Sequence, residues 1–255
     1  MIQRILFVFL LAFSGLTWSE EDAEPNVDPW EGFNRAIFDF NEVMDKYVAR
    51  PVAVGYQYIT PKPVDDGISN FFSNLDDVLV VVNDLLQLKF LQALSDTSRF
   101  LINSTVGLFG FIDVASHIGL EKHNEDFGQT LGYWGVGTGP YIVLPFLGPS
   151  NLRDATGRTV DTFSGLSYTS LGATAEEQWG LFFLKNIDLR ADIMQSEELI
   201  TGEKYTFIRS FYLQRRDYLV KDGVVEDEFD DDFEDEEFFD DEDEDFESLE
   251  DEEAI

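Results

Sequence analysis

Between Asp126 and Pro149 the chain reads DFGQTLGYWGVGTGPYIVLPFLGP. Glycines stand at 128, 132, 135, 137, 139 and 148, and prolines at 140, 145 and 149. So many conformationally free and helix-breaking residues predict a glycine-rich hairpin or loop with no regular helix or strand. Loops are normally polar, yet this one carries Phe127, Tyr133, Trp134, Tyr141 and Phe146. Something apolar must cover it, and either a protein core or lipid can do so.

On both sides of this stretch the periodicity is helical. Upstream, Phe33, Ile37, Phe40, Met44 and Tyr47 recur at steps of 4, 3, 4 and 3, the stripe of an amphipathic helix. Asp28 is placed to cap it and Pro29 to occupy its first turn, and the helix is expected to stop before Pro51. Residues 51–63 (PVAVGYQYITPKP) hold three prolines and a glycine and read as a connector. A second helix follows through Ile68, Phe71, Phe72 and Leu75, and Asp76 and Asp77 are placed to begin a third. In that third helix, Val78 to Leu88 has eight apolar residues and only three polar ones, Asn83, Asp84 and Gln87. An element apolar nearly all round is central in a core or faces lipid. This one is too short to span a bilayer but long enough to lie within one leaflet.

Residues 89–106 read as a further helix, and 107–120 (GLFGFIDVASHIGL) as an apolar, glycine-containing turn that is buried or intramembrane. Helices are expected at 151–163, 175–200 and 203–220, with a Ser/Thr/Gly loop at 165–174. Arg215, Arg216 and Lys221 suit the C-terminal end of the last helix, and Gly223 its cap. No internal repeat appears, nor an alternation long enough for a sheet, so the class is mainly α.

The 255 residues carry a net charge of -34. Of the 51 acidic residues, 22 lie between Lys221 and Ile255 beside a single basic one, so residues 223–255 read as a disordered acidic tail separate from the fold. The acidity excludes a nucleic-acid binder, which needs a basic patch to neutralise phosphates. It also leaves apolar surface, rather than attraction to anionic headgroups, as the source of any membrane contact. At the other end, a positive Met1–Arg4 precedes the apolar run ILFVFLLAFSGL at 5–16, with small residues Thr17 and Ser19 after it. Residues 1–19 therefore read as an export signal and 20–27 as a mobile leader. The chain has no cysteine, which removes disulfides, thiolate chemistry and lipidation at an N-terminal cysteine from consideration.

Catalytic signals are missing. No G-x-S-x-G elbow accompanies His117 or His123, and Gly135, Gly137 and Gly139 lack the G-K-[ST] and strand–helix context of a phosphate loop. His117, Glu121, His123 and Glu125 lie near one another in sequence, but a polar surface turn explains them better than a metal site. The expectation is no catalytic site, no metal and no cofactor.

Five segments in order resemble the VacJ/MlaA family: DPWEGFNRAIFDFN (28–41), RPVAVGYQYITPKPVDDGISNFFSNL (50–75), FLINSTVGLFGFIDVAS (100–116), EDFGQTLGYWGVGTGPYIVLPFLGPSNLRDATG (125–157) and FYLQRRDYL (211–219). The resemblance covers about residues 28–222. It implies a ring-like bundle of amphipathic helices with a glycine-rich hairpin, embedded in one leaflet of the outer membrane on its periplasmic side. It implies passage of mislocalised phospholipid inward through a central channel to a soluble periplasmic carrier, with a porin trimer as companion. On this likeness Gly132, Gly135, Gly137, Gly139, Pro140, Tyr141 and Pro145 are lipid-channel candidates. Val78, Leu79, Val82, Leu85 and Leu86 are membrane-contact candidates. The family's lipobox cysteine is absent, and the acidic tail lies outside the resemblance. The alternative is an outer-membrane adaptor that acts on porins or surface properties and passes no lipid.

Overall fold

The computed structural model describes residues 26–200 and 202–224. The export signal and leader up to residue 25, and the acidic tail from residue 225, lie outside them. In chain order the elements are α1 (Glu31–Met44), a π-helical turn (Asp45–Ala49), α2 (Arg50–Ile59), α3 (Lys62–Leu86), α4 (Phe90–Thr105), α5 (Val114–His117) and α6 (Phe127–Tyr133). Strands β1 (Tyr141–Leu144) and β2 (Gly148–Asn151) follow, then α7 (Leu152–Phe163), a 3-10 turn (Tyr168–Leu171), α8 (Ala175–Ile193), a second 3-10 turn (Met194–Leu199) and α9 (Lys204–Val220). The mainly α class is observed.

Several boundaries differ from the sequence reading. Helix α1 begins at Glu31, not Asp28, because the Asp28 carboxylate is drawn inward to Asn34, Tyr205 and Arg209 and does not cap. The predicted stop before Pro51 and the connector at 51–63 are replaced by near-continuous helix. The π turn widens the backbone just ahead of Pro51, which then occupies the first turn of α2, where its missing N–H costs least. Asp76 and Asp77 start no new helix; they lie inside the 25-residue α3. Helix α8 ends at Ile193 and continues only as a 3-10 turn.

The glycine-rich stretch is more regular than its composition suggests. Asp126 caps α6 by accepting from the Gln129 N–H at 2.8 Å, and that side-chain bond starts a helix despite Gly128 and Gly132. Tyr141–Leu144 then pairs antiparallel with Gly148–Asn151, Tyr141 opposite Asn151 and Leu144 opposite Gly148. Four-residue strands are too short to announce themselves by alternation. Pro149 is tolerated because a two-stranded sheet has only edge strands.

Helix α3 runs along α4, α2 along α8, and α6 crosses α7. Tyr141, Val143 and Tyr205 form a small buried apolar cluster with Ile37, Phe38, Tyr212 and Leu213 packed on it. Among the described residues no helix is both long and apolar enough to cross a membrane.

Candidate functional site

The helices bury the wrong side for a protein surrounded by water. In the apolar run of α3 and its end, all three polar residues are interior, Asn83 1% exposed, Asp84 0% and Gln87 2%, and Val80 is the one apolar residue buried with them. Leu85, Leu86 and Leu88 stand 43–53% exposed, and Val78, Leu79 and Val82 are half-buried. Helix α4 repeats the arrangement, with Asp96, Arg99 and Asn103 buried and Phe90, Leu91, Leu94 and Leu101 exposed. In α1 the buried residue is Asn34, while Phe33 and Phe40 of the predicted apolar stripe face out. The turn at 107–112 presents Leu108, Phe109, Phe111 and Ile112 outward. Leaving such side chains in water forgoes about 1.5–3 kcal/mol for each, and contiguous apolar surface on this scale marks a contact with membrane or partner.

Buried polar groups are costly unless they find partners, and three networks supply them. Between α3, α4 and the following loop, Asn83 Oδ1 accepts from Thr130 Oγ1 at 2.8 Å, and Gln87 Nε2 donates to Glu125 Oε2 at 2.9 Å and to Thr130 Oγ1 at 3.2 Å. Glu125 also pairs with Lys89 at 3.0 Å, and Asp77 with Lys122. Asp84 accepts from Gln92 at 2.8 Å. Its own burial, then the charges of Asp96 and Glu125, push its carboxyl up to about 7.

Further along α4, Arg99 Nη2 donates to both carboxylate oxygens of Asp113 (3.1 and 3.0 Å), and Asn103 donates to Asp113 at 2.9 Å. Burial works against the Asp113 charge, but hydrogen bonds from Ser116 and Asn103 and the field of Arg99 outweigh it and hold the carboxyl at about 2. The two histidines serve separate contacts: His123 Nδ1 lies 2.9 Å from Asp96 Oδ2, and His117 Nδ1 2.7 Å from the Asp113 carbonyl. Among the described residues no group of three or more acidic or histidine side chains is placed to hold a metal ion.

The second network anchors the hairpin. Asn34 donates to the Asp28 carboxylate at 2.8 Å and the Tyr141 carbonyl at 3.1 Å, and accepts from the Val143 N–H at 2.9 Å. Two helical turns on, Asn41 donates to the Leu144 carbonyl at 3.0 Å and accepts from Phe146 N–H at 2.8 Å. Two amide side chains of α1 thus complete the free edge of β1.

The third joins α9 to α6 and α7. Arg216 reaches Asp126 at 2.6 Å and Asp154 at 3.0 Å, Arg153 meets Asp154 at 3.0 Å, and Tyr212 donates to Asp154 at 2.8 Å. Burial disfavours the Arg216 charge, yet the two carboxylates outweigh that and raise its pKa.

Asn34, Asn103, Asp113, Asp126, Asp154 and Arg216 of these polar interiors lie in the segments that resemble the family, and the shape of the fold matches as well. The solved structure described as "Structural basis for maintenance of bacterial outer membrane lipid asymmetry" superposes with a TM-score of 0.66 at 37% identity, covering 76% of this chain and 98% of that one. A family model described as MlaA lipoprotein matches residues 26–219.

The chain belongs to the MlaA lipoprotein family.

Among curated MlaA relatives, the intermembrane phospholipid transport system lipoprotein MlaA of Escherichia coli K12 is 38% identical over 218 residues, covering 83% of this chain and 85% of the relative. The MlaA of Haemophilus influenzae is 35% identical over 205 residues, covering 78% and 81%. An uncharacterised Rickettsia prowazekii protein is 44% identical over 137 residues, about half of each chain.

Within this MlaA fold the candidates named from sequence occupy different settings. Tyr141 is buried in the apolar cluster. At Gly132 an added Cβ would fall 2.7 Å from Val220, so that glycine lets α6 approach α9. Gly135 and Gly137 border open space, Gly139 faces Leu152, Pro140 is half-buried and Pro145 exposed. Sequence reasoning did not single out Asn34, Asp96, Arg99, Asp113 or Asp154, and assigned Arg216 only to a helix end. Their signal was present as polar residues at helical spacing along apolar helices: 83, 84 and 87 in α3 and its C-cap, 96, 99 and 103 in α4.

Proposed function

We propose that this chain is a phospholipid transport component of the outer membrane. It takes phospholipids mislocalised in the outer leaflet and passes them to a soluble periplasmic carrier, and so maintains lipid asymmetry. The observation that carries this reading is the inverted burial along α3 and α4: Leu85, Leu86, Phe90, Leu91, Leu94 and Leu101 outside, carboxylates, amides and an arginine inside beside only three buried apolar residues, Phe72, Val80 and Ala93. Such a body rests its exterior in acyl chains and presents polar groups only where a headgroup needs them.

No covalent bond changes in the process, so no nucleophile or general base is required. Withdrawing a lipid from a leaflet into water costs roughly 0.8 kcal/mol per CH₂, and a polar passage beside an apolar exterior avoids that cost. In this reading residues 132–145 border the passage, Val78, Leu79, Val82, Leu85 and Leu86 contact the leaflet, and a porin trimer is the companion. With no cysteine in the chain, attachment rests on the apolar faces or on an uncleaved export signal. The acidic tail meets a basic face of the carrier or of another envelope protein.

The test is the outer-leaflet phospholipid content of cells lacking the gene. Accumulation that the intact gene reverses is expected. No accumulation, with the protein still in the outer membrane, would replace transport by an adaptor role.

A further inference from the structure

A cavity of about 120 Å³ opens between α6, α7 and α9, lined by Asp126, Asp154, Arg158, Asp161, Tyr212 and Arg216. Ligand pockets for whole drug-sized molecules run to roughly 300–1,000 Å³, so this one suits a small polar group. Its charges are not all balanced internally. Arg216 and Arg153 neutralise Asp126 and Asp154. Arg158 and Asp161, three residues apart on α7, make no ion pair within 4 Å among the described residues. The contact Arg158 does make is a stretched 3.5 Å approach to the Leu147 carbonyl. Asp161 accepts from the Phe127 N–H at 3.0 Å. The Arg216 guanidinium is held by its two carboxylates, with its Nε 2.7 Å from Asp154 Oδ2 and Nη1 2.6 Å from Asp126 Oδ2. One cation and one carboxylate without an ion-pair partner therefore share the wall. Leu147, whose carbonyl Arg158 approaches, is an exposed apolar residue beside this wall, set to meet an acyl chain.

We propose that this cavity is a headgroup subsite for a zwitterionic phospholipid, with Arg158 receiving the phosphate and Asp161 the ammonium. The proposal rests on the transport reading and adds headgroup preference to it. An anionic headgroup without an ammonium leaves Asp161 facing a phosphate of like charge. Burial, and the nearby Asp126 carboxylate, already push the Asp161 carboxyl up, which an incoming ammonium would relieve.

The full chain in nanodiscs would be titrated with dihexanoyl phosphatidylethanolamine, dihexanoyl phosphatidylglycerol and free phosphoethanolamine. The ethanolamine lipid should bind about tenfold tighter than the glycerol lipid, as one charge-assisted contact supplies. Asp161→Asn should abolish that difference while leaving glycerol-lipid binding intact, and Arg158→Gln should weaken both lipids; near-UV circular dichroism would verify both folds. Equal binding of the two lipids by the wild type overturns the proposal. Free phosphoethanolamine binding as tightly as its lipid would also overturn it, by assigning the cavity to soluble phosphate esters. Cells run in parallel separate the two readings. Outer-leaflet clearance by the wild type together with equal lipid binding removes only the subsite, whereas wild-type cells that fail to clear lipid remove the transport reading itself.

Discussion

Asn34 in α1 holds the backbone of Val143 in β1, 109 residues away, by accepting its N–H at 2.9 Å while donating to the carbonyl of Tyr141 at 3.1 Å. The side chain stands in for a neighbouring strand and is fully buried. The hairpin is thus positioned by a helix through an amide that can donate and accept at once.

Asn34→Ala strands a buried N–H and a buried carbonyl, so it should cost about 2–3 kcal/mol. Asn34→Asp retains the acceptor for Val143 but sets a second carboxylate against Asp28, and should cost at least as much. Denaturant unfolding of both variants checks the order.

Stability should depend on pH through Asp84. Its folded pKa of about 7 lies above the ordinary value of 3.8, so the folded state binds the proton more tightly than the unfolded chain. The stabilisation is complete below about pH 4 and is lost as pH rises to 7. Asp113, at about 2, acts oppositely, with stability falling as pH drops from 4 to 2. Asp84→Asn should flatten the decline between pH 4 and 7, leaving the share of other buried carboxyls pushed up in the same direction, such as Asp161. An unchanged slope in pH-resolved thermal melts would refute the assignment.

At Gly157 an added Cβ would sit 2.3 Å from the backbone nitrogen of Gly128, a distance no packed structure accommodates. Gly157→Ala should push α7 off α6 and destabilise by about 1–3 kcal/mol, the usual cost of overpacking. It should also loosen the Arg216 network. Thermal midpoints of this variant and of Gly180→Ala, whose site is open, make the comparison.

Leu91 and Leu94 are 86% and 64% exposed on α4. Replacing both by Lys should leave the internal fold within about 0.5 kcal/mol, as for surface changes. Lipid contact should fall sharply, because each lysine replaces an apolar side chain in the leaflet. Fractionation and vesicle flotation measure this, and undiminished flotation would place the leaflet against another face.

Nothing lies within 4 Å of a Cβ built at Gly137, so Gly137→Trp should fold normally. If residues 132–145 border the lipid passage, the same variant should fail to clear outer-leaflet phospholipid. Normal clearance by a stable Gly137→Trp protein would move the passage elsewhere.

The sequence alone determined that the chain is mainly helical, where α4, α7 and α9 lie to within a residue or two, and which family it resembles. Those features depend on local periodicity, capping residues and motif order, all written along the chain. The sequence could not say which face of each helix points inward. Phe33 and Phe40 make as good a core stripe as a lipid stripe, and Val78 to Leu88 is apolar enough for either. Only the tertiary structure decided it, because Asn83, Asp84, Gln87, Asp96 and Arg99 find their partners in other segments, and a buried charge or amide is stable only where such a partner meets it. For the same reason Arg216 could be read locally as a favourable helix end, while its partners Asp126 and Asp154 lie 90 and 62 residues away. The short strands also needed tertiary context: β1 has its second edge satisfied by Asn34 and Asn41, a pairing between helix and strand that no local pattern encodes.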